Sequence, residues 1–424
     1  MPAKKLLTVL FAAASLAVLS AGPALASGGW TTTKVPSGAG PLASVSCWSS
    51  KGCLSVGSEA LLWNGTAWTA IATPPESKAL DGVACTAASF CLAVGQNDSA
   101  LAAAWKWNGT SWQNLVVYNP GSTDNVLNAV KCASATNCEA VGGHGDGSDS
   151  TTYPLAEVWN GSSMQKQSTY GAPHGELYGV SCESSSKCEA VGADFDGTST
   201  DCIPPPDGAG CPVPDALAMG WTGTMWQTQA TPVQPFMDYN NMFGPGTSNW
   251  QDTAVSCWSS GCMASGWQDE ASDPSSVQPA PYAEYWNGTS WSVSEWGNTD
   301  DTLISSYPSI SCTTTTVTTG GSCAGSGGAL TAIHCTSAAN CTAAGFFYGY
   351  PGPYLTGIVQ WNGTQWSQVP SPTPDWNSVT GTGPGDAFTG LACTSAVCTA
   401  VGSESSTDYM DIGGGPGTVV AARN

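Results

Sequence analysis

Val83-Ala84-Cys85, five further residues, Cys91-Leu92-Ala93-Val94-Gly95, and then Trp105-Lys106-Trp107-Asn108-Gly109-Thr110-Ser111-Trp112 form the stretch that decides the fold. An apolar residue, a spacer and a cysteine end one short strand, and the matching cysteine starts the next, which predicts a disulfide-stapled hairpin. Asn-Gly between tryptophan-flanked runs of alternating polarity predicts a second hairpin, closed by a two-residue type I′ turn. Two hairpins make a unit of four strands.

The unit recurs along the chain, so the fold is an array of one small module. Its first-strand pattern is an apolar residue, two spacers, a β-branched residue or Leu, one spacer and Cys. It stands at Leu42 to Cys47, Leu80 to Cys85, Leu127 to Cys132, Leu177 to Cys182, Asp252 to Cys257, Leu330 to Cys335 and Phe388 to Cys393. The turn follows at Asn64-Gly65, Asn108-Gly109, Asn160-Gly161, Asn287-Gly288 and Asn362-Gly363, with Thr222-Gly223 as a variant. The seventh hairpin is split: the chain ends at Val419 to Asn424 where Trp-Asn stands in other units, and Gly28-Gly29-Trp30 supplies the missing half. Borrowing a strand from the other end of the chain requires a closed ring. The expected fold is therefore all-β, a seven-bladed β-propeller of four-stranded antiparallel blades latched by an N-terminal strand. Tyr307 to Cys312 with Cys323-Ala324-Gly325 permits an eighth unit. It lacks a tryptophan hairpin, so residues 297–329 are read as an insertion.

A run ending in Val-Gly, a variable loop, then an aromatic and a tryptophan resembles the kelch repeat. Seven such blades resemble the central propeller of the galactose oxidase family. Gly142-Gly143 alone reproduces the kelch double glycine. The Trp-Asn-Gly-Thr-x-Trp hairpins are similar to the Asp-box turns of sialidase-type propellers, with Asn for Asp. The first resemblance implies a copper-radical site, and the second a sialidase clamp of three arginines. Neither can be built from these residues. Arg423 is the sole arginine, and His144, His174 and His334 fall singly in different units, with every cysteine given a partner. No Gly-x-Ser-x-Gly elbow is present either.

Lys4-Lys5, the apolar run Leu6 to Leu19 and Ala24-Leu25-Ala26 read as a secretory signal peptide over residues 1–26, leaving 27–424 as one secreted, extracellular domain. No other apolar run approaches the roughly eighteen residues of a membrane span. The whole chain carries a net charge of −21, which becomes −23 without the two signal lysines. Such a surface repels nucleic acid and anionic membranes, and a monomer is expected. Eighteen cysteines in an exported chain argue for disulfides over zinc. Cys202/Cys211 and Cys312/Cys323 remain after the seven staples are assigned. Each staple is worth roughly 2 kcal/mol by loop entropy. The hairpin tryptophans are expected to pack between blades, although an exposed sugar-stacking row is the alternative. Asn-Gly-Thr also matches a glycosylation sequon, but its fixed place in one turn points to backbone geometry.

Chain direction puts the stapled and Asn-Gly turns on one face and all variable loops on the other, where binding usually resides. Those loops hold Asp98, Asp146, Asp149, Asp194, Asp196, Asp201, Asp269, Glu270, Asp273, Glu404, Asp408 and Asp411. Tyr239, Phe243, Trp250 and Trp376 add aromatics from blade-joining segments, and Phe347, Tyr348, Tyr350 and Tyr354 from the sixth loop. Rings stack on sugar faces and carboxylates accept hydroxyl protons, so an extracellular glycan is the expected partner. A solvated acidic rim is the plainer alternative. Asp194, Asp196 and Asp201 alternate around Gly197, a spacing suited to calcium, although an ordinary turn explains it too. Non-catalytic, lectin-like binding is the leading expectation, and hydrolysis by two rim carboxylates is the alternative.

Overall fold

The computed structural model describes residues 29–121, 124–145, 152–169, 171–196, 198–199, 211–212, 215–232, 250–273, 276–294, 328–348, 354–371, 387–395, 397–404 and 417–423. They form seven four-stranded antiparallel sheets and one two-stranded ribbon of Thr198–Ser199 and Cys211–Pro212. The first blade, Leu42–Ser49, Gly52–Gly57, Ala60–Trp63 and Trp68–Ile71, sets the pattern. The seventh is built from Ala387–Cys393, Cys398–Glu404, Gly417–Arg423 and the N-terminal Thr31–Thr32, with Thr31 opposite Ala422. The ring is latched as the split hairpin requires. Residues 295–327, which carry nearly all of the supposed insertion and the arguable eighth unit, lie outside the described residues. Gly328 and Ala329 belong to the first strand of blade 6, Gly328–Ser337.

Seven staples are in place among the described residues, joining directly opposed cysteines whose Cα atoms lie 3.9–4.0 Å apart. Cys202 and Cys312/Cys323 lie outside the described residues. The second hairpin differs from the expected two-residue type I′ turn, because paired tryptophans such as Trp63 and Trp68 enclose four residues. Of these only the glycine is left-handed, with φ of 93–100° from Gly65 to Gly363. The asparagine keeps ordinary dihedrals because its side chain organises the loop. In all five Asn turns its Oδ1 accepts two backbone N–H groups and a hydroxyl at 2.7–3.0 Å. This is Asx-turn chemistry.

Every first strand carries a β-bulge at one position, between Leu42 and Ser44 in blade 1 and at equivalent places through Phe388/Gly390 in blade 7. The residue before each bulge pairs with a second-strand glycine: Gly57, Gly95, Gly142, Gly192, Gly266, Gly345 or Gly402. A Cβ on any of these would sit 1.8–2.4 Å from a carbonyl oxygen of the first strand or, for Gly57, of Pro41 just before it. The bulged residues Ala43, Asp81, Asn128, Tyr178, Thr253, Thr331 and Thr389 line the central channel. Several bolt neighbouring blades together: Thr253 Oγ1 donates to Leu330 O at 2.6 Å, Thr389 Oγ1 to Leu42 O at 2.6 Å, and Thr331 to Phe388 O.

The core is divided into slabs between adjacent blades. Leu54, Val56, Leu80, Val83 and Trp105 fill the seam of blades 1 and 2. Leu42, Val45, Val401 and Val420 fill the seam that closes the ring. The hairpin tryptophans pack here, as expected, and four of those that close the hairpins send their indole N–H to the preceding blade. Trp112 donates to Ala72 O at 2.9 Å, Trp226 to Gln167 at 2.7 Å, Trp291 to Gln229 at 2.7 Å and Trp366 to Ser294 at 3.1 Å.

Trp30, 7 % exposed, packs against Ile358 and Phe388 in the seam of blades 6 and 7. Trp30→Ala is expected to cost about 3–5 kcal/mol, as for other buried large-to-small changes. Removing residues 29–36 is expected to leave an open edge on blade 7 and an aggregating, less cooperative protein. Chemical denaturation checks both, and unchanged midpoints would show that the ring is not latched here.

Candidate functional site

The stapled and Asn-Gly turns do share one face: a Cβ on Gly65 would meet Lys51, and one on Gly161 would meet Thr136. Strand ends and blade connections occupy the other. Of the expected ligand residues there, Tyr239, Phe243, Tyr350, Trp376, Asp146 and Asp149 lie outside the described residues, as does Asp201 of the expected cation site. Trp250 opens the first strand of blade 5, opposite Gln268, and Tyr348 closes the second strand of blade 6, opposite Tyr354. Asp269 and Glu270 sit within a strand rather than a loop. Gly261–Asp273 and Ser276–Trp286 continue as a long hairpin in which they face Pro279 and Gln278. Phe347 corrects the expectation of an exposed platform. It is 7 % exposed, in the core slab of blades 5 and 6, and its ring occupies the space beside Gly357 where a Cβ would stand.

The structure brings together residues that look isolated in sequence. His144, at the end of the second strand of blade 3, stacks on Tyr153 of the third strand at 5.7 Å. Tyr153 meets His174, which precedes blade 4, edge-on at 4.8 Å, with Tyr153 Oη 3.1 Å from His174 Nε2. Asp196 holds the far side of His174, with Oδ1 2.6 Å from Nδ1 and Oδ2 accepting the His174 backbone N–H at 3.0 Å. Asp194 Oδ1 in turn accepts the Asp196 N–H at 2.8 Å. Burial raises the carboxyl of Asp194. That of Asp215, its strand partner, is raised by burial and then by the charge of Asp194. When Nδ1 donates to the carboxylate, Nε2 is left to accept the Tyr153 hydroxyl proton. The histidines therefore do not stand singly, since His144 and His174 flank one tyrosine across two blades. His174 and Asp196 are close to half exposed, so this Asp-His-Tyr line meets solvent.

Inward from it lies the channel, a cavity of about 150 Å³. Asn128 Nδ2 donates to Glu176 Oε1 at 2.7 Å and to Leu177 O at 2.9 Å, and Tyr178 is hydrogen-bonded to Glu176. Burial, and then the charge of Glu176, pushes the Asp81 carboxyl up to about 6. Burial also raises Glu176. Nothing in their local sequence marks these four residues as a group, although the two spacers between Leu80 and Val83 or Leu177 and Val180 break strand alternation and so mark the bulge.

No protein-family model matches this chain, and no curated protein is detectably similar in sequence. Solved structures do align with it. YCF48 bound to D1 peptide superposes with a TM-score of 0.50 at 11% identity, over 95% of this chain and 97% of that one. The GH74 xyloglucanase from Xanthomonas campestris gives a TM-score of 0.49 at 11% identity, over 89% and 54%. The Aleuria aurantia lectin with Fucalpha1-6GlcNAc gives 0.40 at 10% identity, over 79% and 97%. At 11% identity the first of these likenesses speaks to the propeller fold alone.

Away from the site, acids are buried between blades. Burial pushes Glu139, Glu157, Glu189 and Glu284 up from 4.5 to about 7, against partial relief from Gln167, the Tyr118 N–H, Gln229 and Tyr282 respectively. Asp252, beside Glu284, is raised well above the usual range by burial and then by that neighbour. As pH climbs from about 4.5 to about 7 the unfolded carboxylates ionise while the folded ones keep their protons, so stability is full below that window and falls across it. The melting temperature is expected to drop by several degrees between pH 4.5 and pH 7.5, and Glu139→Gln should flatten the slope. A melting temperature that rises with pH would contradict the buried protonated acids.

Proposed function

We propose that the protein is a secreted, non-catalytic binding propeller that recognises a neutral extracellular glycan on its loop face. The observation that carries this reading is the cluster of Tyr153, His144, His174 and Asp196, in which partly exposed rings and a carboxylate open between blades 3 and 4. Aromatic faces cover the apolar side of a sugar while the carboxylate and imidazole engage its hydroxyls. The acidic charge of the chain favours an uncharged ligand over a polyanion. Trp250, Tyr239, Phe243, Tyr348, Tyr350 and Trp376 extend the proposed surface around the rim, with Asp146, Asp149, Asp269 and Glu270. Calcium belongs to the proposal through Asp194 and Asp201, since Asp196 already engages His174.

One observation favours a second reading, glycoside hydrolysis. Asp81, pushed up to about 6 beside Glu176, is suited to donate a proton while a second carboxylate stays charged.

A glycan array followed by product analysis separates the two. Tyr153→Ala is expected to weaken binding by about 1–3 kcal/mol, as for an aromatic anchor, with an unchanged melting temperature. Binding that survives Tyr153→Ala would remove the blade 3–4 site. Product formed by the wild type and lost in Asp81→Asn would replace binding with hydrolysis. If calcium belongs, it should raise the melting temperature of the wild type but not of Asp194→Ala.

A further inference from the structure

We propose that the staple-side end of the central channel is an anion site, in which Lys131 with His334 takes a small oxyanion, a carboxylate or phosphate group. In each first strand, the residue just before the staple cysteine is Ser46, Ala84, Lys131, Ser181, Ser256, His334 or Ala392. The serines show where this position points. Ser46 accepts the Cys85 N–H of the next blade at 2.9 Å, Ser181 that of Cys257 at 2.9 Å and Ser256 that of Cys335 at 2.8 Å. Each hydroxyl thereby keeps its own proton to give to a ligand.

Lys131 and His334 hold the same position in blades 3 and 6, three places apart around the ring. Each directly follows a residue that lines the channel, Val130 and Ile333, and burial, followed by the charge of Lys131, lowers the His334 imidazole to about 4. Burial likewise lowers Lys131, and among the described residues no carboxylate offsets it. This is a conspicuous arrangement in a chain with ten Lys plus Arg against thirty-one Asp plus Glu. The acids Asp81 and Glu176 sit toward the loop-face end of the channel instead. A cation placed in a confined polar passage without a counter-ion costs free energy, and a bound oxyanion removes that cost while holding the lysine protonated.

The test is thermal denaturation of the full protein in rising inorganic phosphate, and in a parallel arm rising acetate, with ionic strength held constant by sodium chloride. The expected result is a saturable rise in melting temperature in at least one arm. That response should be reduced at least tenfold in Lys131→Met and weakened in His334→Gln. The arm with the stronger response identifies the ligand class. Lys131→Met removes an unpaired cation and is expected to fold at least as stably as the wild type; if it does not fold, His334→Gln carries the comparison. A response of equal size in wild type and variants is general salt exclusion and overturns the site, as does the absence of a response in both arms.

Discussion

In every blade the first strand carries an extra residue at one equivalent place, and opposite the residue before it the second strand has a glycine whose missing Cβ leaves room for a carbonyl oxygen. Gly192 and Gly345 show the constraint plainly, since a Cβ on either would lie 1.9 Å from Glu176 O or Ala329 O. The bulge bends the innermost strand and aims its extra side chain into the channel. There Thr253, Thr331, Thr389 and Asn128 reach the next blade and turn seven separate sheets into a ring. The staple at the other end of the same hairpin fixes the register, so bulge and glycine cannot slip apart. Channel, inter-blade bolts and the acid end around Asp81 and Glu176 all descend from this one local geometry.

Much of this is legible in the sequence, for reasons that can be named. Cysteines six apart can close only a tight hairpin, and the Trp30 fragment makes sense only as the missing half of the last blade. The recurring glycine near the end of each second strand, often as Val-Gly, has a steric cause in the bulge. The Asn-Gly turns are ambiguous in sequence, because an Asn whose side chain caps three donors leaves the same mark as one in a type I′ turn. Phe347, in a run of aromatics, looks like a rim residue, yet its ring is buried in the slab between blades 5 and 6. His144 and His174 look unrelated because they belong to different units. A ring of repeats sets the end of one blade against the start of the next, so contact follows position within the module and not distance along the chain.

The buried acids add a second theme. Glu139 is hydrogen-bonded to Gln167, which accepts the indole of Trp226, and Glu189 is hydrogen-bonded to Gln229, which accepts that of Trp291. Protonated carboxyls thus take part in the seams of blades 3 to 5, the sector that also carries the Asp196-His174-Tyr153 line and the acids of the channel. Buried polar networks of this kind stabilise only when satisfied, which ties the rigidity of the proposed binding sector to the protonation of its seams.

The most direct test is to replace Gly57, Gly95, Gly142, Gly192, Gly266, Gly345 and Gly402 by Ala one at a time and measure unfolding free energies, with Gly29→Ala as control because a Cβ there meets nothing within 4 Å. Each of the seven should lose roughly 2–3 kcal/mol or more by overpacking against the bulge, while the control stays at the wild-type value. Wild-type stability at most of the seven positions would show that the bulge does not stand opposite these glycines, and with it the lining of the channel would fall.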